Sequence, residues 1–294
     1  MYYVAYLFFY LFSLIPWRIM YLISDAFYVL IYYVFGYRKD VVMGNLLIAF
    51  PEKTEKERIR IAKDFYHQLI DTFMETIKMI SISRKELNKR FVCNYEVMND
   101  LYETGKNVQL HGGHFFNWEY LNLAYCANST YPFIGVYIPL SNKVMDRIMI
   151  KMRGKFGTIL IAADKFKTQF HYHVNKRYAL ALGADQNPGN PRGSYWLSFF
   201  SKKAPFVTGP ERSAFSTNSA IIFGTYYRVK RGYYRSELKL ITTTPNTLQR
   251  GELTKLFRDF LEEQIRLRPS NYLWSHRRWK FEYDEIKYKS LLID

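Results

Sequence analysis

The chain opens with two hydrophobic stretches that carry almost no charge. Residues 1–15 contain no charged side chain, residues 16–18 interrupt the pattern with proline, tryptophan and arginine, and residues 19–37 are again apolar apart from Asp25. A helix that crosses a bilayer needs roughly 20 apolar residues, so the first stretch is short and the two together are too long. We predict that residues 1–37 form a membrane anchor that spans the bilayer or lies in its interface, with tyrosine and tryptophan at headgroup depth.

The alternative for this segment is a pair of ordinary buried helices. A secretory signal peptide fits poorly, because the segment has neither a basic start nor a small-residue cleavage site. Arg38 and Lys39 follow the second stretch directly. Positive charge beside an anchor predicts that the rest of the chain, residues 38–294, lies on the cytoplasmic side.

Downstream of the anchor, a long helix is the first predicted element. Thr54 and Glu57 have the spacing of a capping box. Apolar residues follow at helical intervals, namely Ile59, Ile61, Phe65, Leu69, Phe73 and Ile77.

Short apolar runs of β-rich composition then alternate with helical patterns. The predicted strands are residues 108–111, 132–138, 158–162 and 178–184, and the predicted helices between them are residues 118–126 and 141–156. Residues 219–229 and 233–242 predict a hairpin, and a last helix is predicted from 252 to 268, before Pro269. The alternation predicts an α/β fold with a central, mixed but largely parallel β-sheet flanked by helices.

The overall charge of the chain is strongly positive. Its 42 Lys and Arg against 26 Asp and Glu give a formal net charge of +16, which predicts a negatively charged partner. The 26 tyrosines and 23 phenylalanines are typical of a chain that meets a membrane interface, and the sequence carries no recognisable nucleic-acid-binding module. We therefore expect an anionic membrane, a phosphorylated substrate or an acidic protein as the partner, and no nucleic acid. Cys93 and Cys126 give neither a disulfide framework nor a metal-ligand spacing.

Candidate chemistry lies where the strand at 108–111 ends and the helix at 118–126 begins. Residues 110–119 read LHGGHFFNWE and place an acid, Glu119, five positions after His114. Open α/β sheets bind their ligands at strand ends, and histidine is the natural base near neutral pH. A carboxylate bonded to its second nitrogen would fix the tautomer. We therefore predict a base at His114 with Glu119 as its partner.

Other interpretations of this segment remain open from the residues alone. His114 could be a buried core histidine, with Glu119 merely favouring a helix N-terminus. A metal bound by His111 and His114 is not expected, since no third ligand is indicated. No serine or cysteine stands in an elbow motif, so direct transfer without a covalent enzyme intermediate is the simpler scheme.

The segment HGGHFFNWEY resembles the GHFGNWE signature of the late acyltransferases of lipid A biosynthesis, the lauroyl/myristoyl type. Phe116 differs from this signature, since many members have glycine there. Further motifs of that family have counterparts in the same order: Arg38 with Asn45 to Pro51 (NLLIAFP), Arg153-Gly154, Ala184-Asp185-Gln186, Phe199 to Pro210, and Tyr272 to Lys280 (YLWSHRRWK).

The resemblance implies an enzyme that moves a fatty acyl chain from acyl carrier protein, or acyl-CoA, to a hydroxyl of a lipid A precursor. It implies residues 38–294 as the catalytic domain, at the cytoplasmic face of the bacterial inner membrane. The partners would be acyl carrier protein, an anionic glycolipid or phospholipid, and the membrane; no cofactor or metal is implied. A lysophospholipid, aminolipid or other glycolipid acceptor is the alternative, and a non-enzymatic protein that binds anionic lipid is a further one.

The resemblance also implies roles for individual residues. His114 would be the general base with Glu119 as its partner, and Arg153 would stabilise an oxyanion or hold a phosphate. The residues expected to contact substrate are Asn117, Asp185, Gln186, Arg277 and Arg278. From the residues alone, a solvated cation is the favoured interpretation of Arg153, and Asp185 could equally be a turn residue at a strand end. The paired arginines near the C-terminus could form structural ion pairs.

Overall fold

Helices make up most of the N-terminal third of the chain. The computed structural model describes residues 1–173 and 176–294. Its α-helices are α1 (Tyr2–Leu14), α2 (Trp17–Val29), α3 (Lys39–Ala49), α4 (Glu55–Met79), α5 (Arg84–Arg90), α6 (Glu96–Asn99), α7 (Trp118–Asn128), α8 (Lys143–Arg153), α9 (Phe166–Gln169), α10 (Gly209–Thr217), α11 (Glu252–Leu267) and α12 (Glu285–Tyr288).

The strands form one large sheet and one small one. They are β1 (Phe91–Cys93), β2 (Val108–Gly112), β3 (Phe133–Tyr137), β4 (Ile159–Ala162), β5 (Ala179–Gly183), β6 (Ser194–Phe199), β7 (Lys202–Val207), β8 (Ala220–Lys230) and β9 (Tyr233–Thr242). The seven-stranded sheet has the order β1-β9-β8-β2-β5-β3-β4, and β6 pairs with β7 in a separate antiparallel pair. All neighbours in the large sheet are parallel except β8 and β9, which form an antiparallel hairpin.

This architecture confirms the predicted α/β fold with a mixed, largely parallel sheet flanked by helices. The capping box is also confirmed, since Thr54 Oγ1 accepts from the Glu57 amide and the Glu57 carboxylate accepts from the Thr54 amide. One position on the predicted apolar face of α4 is wrong. Phe73 is 54% exposed, while the polar side chains of Asp71 and Glu75 occupy buried positions on the same helix.

The N-terminal helix pair packs against α4 through polar contacts. The Lys78 ammonium donates to the carbonyl oxygens of Ser13 and Ile15, each at 2.6 Å, and so satisfies the C-terminal end of α1. Arg231 bridges Asp25 on α2 and Asp71 on α4, at 2.6 Å to each. The division of the chain at residue 37 stays a prediction, and these contacts tie the segment to the rest of the protein.

The outer surface of this helix pair is strongly apolar. Its exposed side chains include Phe8, Leu11, Leu22, Val34 and Phe35. Within the described residues no single helix has both the length and the apolar character needed to cross a membrane. The segments Tyr2–Leu14 and Trp17–Val34 together reach that length, but they are bent by 110° at the break between them.

Candidate active site

The site lies at the carboxyl ends of two neighbouring parallel strands. In the register of β2 and β5, Gly112 is opposite Gly183. His114 comes two residues after Gly112, and Asp185 comes two residues after Gly183. The two segments therefore leave the sheet side by side. Parallel sheets commonly place their reactive residues at such an edge.

His114 and Asp185 form a close, doubly bonded pair. The imidazole Nδ1 lies 2.6 Å from Asp185 Oδ1, and the backbone N–H of His114 donates to Asp185 Oδ2 at 3.0 Å. The carboxylate is 1% exposed, whereas the imidazole is 29% exposed. The carboxylate is therefore enclosed and holds the imidazole at Nδ1, while Nε2 remains available to a ligand.

The charge of Asp185 decides the protonation behaviour of the pair. Burial acts to lower the pKa of His114, but the carboxylate charge and its hydrogen bond outweigh burial, so the pKa of His114 is raised above its ordinary value. Burial acts to raise the pKa of Asp185, but the His114 charge and hydrogen bonds hold that pKa below its ordinary value. Asp185 accordingly stays ionised and the imidazolium form of His114 is stabilised.

Glu119 has a different partner from the one predicted. Its carboxylate accepts from Arg153 Nη2 at 2.6 Å and from Arg153 Nε at 3.0 Å, a bidentate pair that is largely buried. The expected bond from Glu119 to the imidazole is therefore corrected: Asp185 occupies that place. The physical reason is that His114 precedes the first turn of α7, so helical spacing does not bring Glu119 round to its ring.

Arg153 is held at the C-terminal end of α8 rather than in solvent. Its backbone carbonyl accepts from Asn122 Nδ2 on α7 at 2.9 Å. Burial acts to lower the pKa of Arg153, but the bond to Glu119 and its charge outweigh burial and raise it. The Glu119–Arg153 pair thus joins the first turn of α7 to the end of α8.

The other predicted site residues fall in three kinds of place. Gln186 lines the cleft next to His114. Arg277 is exposed. Asn117 is fully buried as the N-cap of α7, where its Oδ1 accepts from the Glu119 amide at 3.0 Å, so the structure gives it a structural contact instead of the predicted substrate contact.

Arg278 also lies inside the protein. It is 1% exposed, its guanidinium stands 4.3 Å from the ring centre of Phe206, and Nη1 donates to Asn187 Oδ1 at 3.2 Å. The predicted substrate contact is therefore corrected for Arg278. Its charge instead contributes to lowering the pKa of Asp185.

A cleft of about 530 Å³ opens beside the pair and runs between α7 and the sheet. Its volume falls in the range of roughly 300–1,000 Å³ that ligand pockets usually have. One side is the face of α7 that carries Trp118, Leu121, Asn122 and Tyr125. The polar residues that line it include His114, Glu119, Arg153 and Gln186.

Small residues leave the floor of this cleft open. Gly112, Gly183 and Gly224 stand in one row across three strands, and Gly135 and Ala181 stand opposite each other in a second row. Phe133 lies two residues before Gly135, on the same face of β3. Phe133 and Tyr125 also line the cleft. These small and apolar residues form the apolar slot of the cleft.

The pairing of His114 with Asp185 was not predicted from the sequence. The two residues are 71 positions apart, and no local spacing connects them. A signal was nevertheless present, since each of the two follows a predicted strand within three residues. Adjacency of those two strands was the missing information.

The α/β fold thus carries a histidine–carboxylate pair at the carboxyl ends of two strands, an arginine held by a second carboxylate, and an apolar slot beside them. These are the features of an enzyme site with its own acid–base groups. A sequence profile described as bacterial lipid A biosynthesis acyltransferase matches residues 1–281. The chain belongs to that family and is an acyltransferase.

Similar curated proteins carry the same kind of name. The chain is 23% identical over 246 residues to the lipid A biosynthesis lauroyltransferase of Escherichia coli (strain K12), covering 83% of this chain and 79% of that protein. It is 21% identical over 248 residues to the lipid A biosynthesis palmitoleoyltransferase of the same strain, with the same coverage. A lipid A biosynthesis acyltransferase of Shigella flexneri is likewise 21% identical.

Proposed function

We propose that the protein transfers a fatty acyl chain from acyl carrier protein, or acyl-CoA, to a hydroxyl of a lipid A precursor. The observation that carries this proposal is the His114–Asp185 pair at the mouth of an apolar cleft, in a chain of this family. A thioester donor needs no metal or cofactor for this reaction, and the chain supplies the acid–base groups itself.

His114 acts as the general base through Nε2. Because Asp185 accepts from Nδ1–H, the neutral ring carries its free lone pair on Nε2, which faces the cleft. Nε2 takes the proton of the acceptor hydroxyl as its oxygen attacks the thioester carbonyl carbon. The tetrahedral intermediate collapses with cleavage of the carbon–sulfur bond, and the imidazolium returns its proton to the leaving thiolate. Asp185 stabilises the imidazolium between these steps.

Arg153 stabilises the negative oxygen of the intermediate or a phosphate of the acceptor. Its guanidinium donates to Glu119 only through Nε and Nη2, so its remaining donor group is available to a ligand. The side chain is 22% exposed at the cleft. A preorganised donor of this kind contributes about 2.7–4 kcal/mol to transition-state stabilisation in comparable sites. Glu119 is thus a positioning residue for Arg153 rather than the partner of the base.

The apolar slot receives the acyl chain. Leu121 and Tyr125 on α7 and Phe133 on β3 face it, and the small residues of the sheet leave it open. The acyl chain would lie along α7, with its carbonyl group near His114 and its methyl end toward Phe133. Such apolar side chains suit a hydrocarbon chain, which forms no hydrogen bonds of its own.

The N-terminal helices dock the enzyme on the inner membrane from the cytoplasmic side. Their exposed apolar side chains supply the contact with acyl tails. Two cations of α8 flank the same surface, with Arg147 at 4.1 Å from the ring of Tyr2 and Lys151 at 3.8 Å from the ring of Tyr6. Anionic headgroups suit this arrangement, and α8 ends at Arg153 in the cleft, so the membrane surface and the site share an element.

The net charge of +16 supports the remaining partners of the reaction. An acidic carrier protein and a phosphorylated glycolipid are both attracted by a strongly basic enzyme. Arg277, which is exposed near the site, is a candidate contact for a phosphate of the acceptor.

Mass spectrometry of the lipids from a deletion strain tests the acceptor. We expect lipid A that lacks one secondary acyl chain, restored by the wild-type gene and not by a His114→Ala variant. Unaltered lipid A together with a missing acylated phospholipid, aminolipid or other glycolipid would instead favour the alternative acceptor. Glu103→Gln, a change at an exposed residue, is the matched control and should restore the wild-type pattern.

A further inference from the structure

A buried carboxyl group on α4 joins three segments of the protein. Glu75 is 0% exposed. Its Oε1 accepts from the hydroxyl of Tyr21 on α2 at 2.9 Å, and its Oε2 accepts from the hydroxyl of Tyr234 on β9 at 2.6 Å and from Asn117 Nδ2 at 3.0 Å. All three donors reach it from other elements.

Burying a carboxylate lowers the stability of the folded protein unless the group is fully hydrogen-bonded. Burial raises the pKa of Glu75 to about 7, and the three donors act in the opposite direction by stabilising the carboxylate. Asp71, one turn earlier on α4, also raises this pKa, and Tyr120 of α7 and Arg90 of α5 lie in the same surroundings. A tightly packed apolar side chain would be simpler to bury, so its contacts suggest a role besides packing.

The contact with Asn117 leads directly to the cleft. Asn117 uses its amide nitrogen for Glu75 and its amide oxygen for the Glu119 backbone N–H. The Glu119 side chain then holds Arg153. The chain of bonds from Glu75 therefore ends on the guanidinium proposed to stabilise the oxyanion.

We propose that Glu75 is a positioning residue for acyl transfer, which orients the first turn of α7, and through it the Glu119–Arg153 pair, by holding the side chain of Asn117. The inference rests on the proposed function, because Arg153 is given its catalytic role there. Glu75 touches no substrate. Tyr21 brings the N-terminal helix pair into contact with the same carboxyl group.

Two substitutions at this position separate orientation from charge. In Glu75→Gln, the amide nitrogen can donate to the Tyr21 hydroxyl while the amide oxygen accepts from Asn117 and Tyr234. In Glu75→Met, the shape is kept but the acceptor for Asn117 is lost. We expect the glutamine variant to keep kcat within threefold, and the methionine variant to lose about 10- to 100-fold in kcat with little change in KM, as small misplacements of catalytic groups do.

Asn117→Ser provides the second arm. Serine still caps α7 through its hydroxyl but does not reach Glu75. If Glu75 acts through Asn117, the double variant Glu75→Met/Asn117→Ser has the same kcat as the poorer single variant. Multiplying effects would mean two independent roles and would overturn the proposal.

Tyr234→Phe is the matched stability control. It removes a different donor from the same Oε2 without touching Asn117, so it should lower the melting temperature and leave kcat near the wild-type value. If kcat in Glu75→Met and Tyr234→Phe simply follows the melting temperature, Glu75 is only a structural residue.

Hydrogen exchange separates this inference from the proposed function. The Glu119 amide should exchange faster in Glu75→Met than in Tyr234→Phe, because only the first releases its acceptor on Asn117. Equal exchange rates of the Glu119 amide in the two variants would contradict the positioning role, whatever the activity. Absence of acyl transfer in the wild-type protein would contradict the proposed function instead. The exchange result would then still show whether Glu75 orients α7.

Discussion

Replacing Asp185 by asparagine removes the charge that holds His114 while keeping the size of the side chain. In the structure, one carboxylate oxygen accepts from Nδ1 and the other from the backbone N–H of the same residue. An amide offers one acceptor only. If its oxygen takes the backbone N–H, its NH₂ faces Nδ1 and forces the proton to Nε2, which is the wrong tautomer for a base. If its oxygen takes Nδ1–H, its NH₂ faces the backbone donor.

The size of the effect follows from these contacts. A hydrogen bond to a charged group contributes roughly 1.5–3 kcal/mol, which corresponds to roughly 10- to 150-fold in rate. Loss of the correct tautomer adds to this, and the equivalent change in the serine protease triad costs about 10⁴-fold in kcat. We therefore expect Asp185→Asn to lower kcat by about 10²- to 10⁴-fold, with a small change in KM.

The assay is acyl transfer to a lipid A precursor by purified protein, measured between pH 5 and 9. The base must be neutral, so kcat/KM of the wild type rises with pH through the pKa of His114, which Asp185 raises above its ordinary value. In Asp185→Asn this rise should move to lower pH, because burial then lowers the pKa without opposition. Asp100→Asn, at an exposed position, is the control for loss of an aspartate charge.

Two results would refute this reasoning. One is an Asp185→Asn variant within threefold of the wild-type kcat and with the same melting temperature. The other is a pH profile that does not move, which would mean that Asp185 does not govern the titration of the base.

Three further predictions address the rest of the site. Arg153→Gln should lower kcat about 10²- to 10³-fold and also lower the melting temperature, because it leaves the buried Glu119 carboxylate unpaired; wild-type turnover would exclude Arg153 from the reaction. Gly135→Leu should shift donor preference toward shorter acyl chains by about fourfold in kcat/KM per excluded methylene, measured with a series of acyl donors, whereas Gly189→Leu, an exposed glycine with open space around it, should not. Phe8→Asp should reduce sedimentation with anionic vesicles while leaving kcat toward a detergent-dispersed acceptor unchanged; undiminished vesicle binding would argue against membrane docking through α1.

Much of the fold was predictable because it depends on local signals. The capping box at Thr54 and Glu57, the hairpin at residues 219–242 and the helix stopped by Pro269 all follow from residues close in sequence. The strands β6 and β7 were not predicted. They form a separate pair, with one isolated bridge from Trp196 to Leu292, and their apolar and polar positions do not alternate regularly.

The candidate site was predictable as a place but not as a set of contacts. His114 and Glu119 were both expected in it, and both are there. Their partners depend on which strands are neighbours and on where α7 begins, and neither is encoded in the spacing of the two residues. The family resemblance implies substrate contacts for Asn117 and Arg278, whereas in the structure both side chains are buried. Asn117 bonds the backbone of α7, and Arg278 lies against an aromatic ring.

The most direct test of the central claim is a mass measurement on the acceptor lipid. Purified protein is incubated with a lipid A precursor and with acyl carrier protein that carries a fatty acid. The mass of the lipid product is then measured by mass spectrometry for the wild type and for His114→Gln. We expect the wild type to add one acyl chain to the precursor and His114→Gln to add none above background. Equal acylation by the two proteins would contradict the account of His114 as the base.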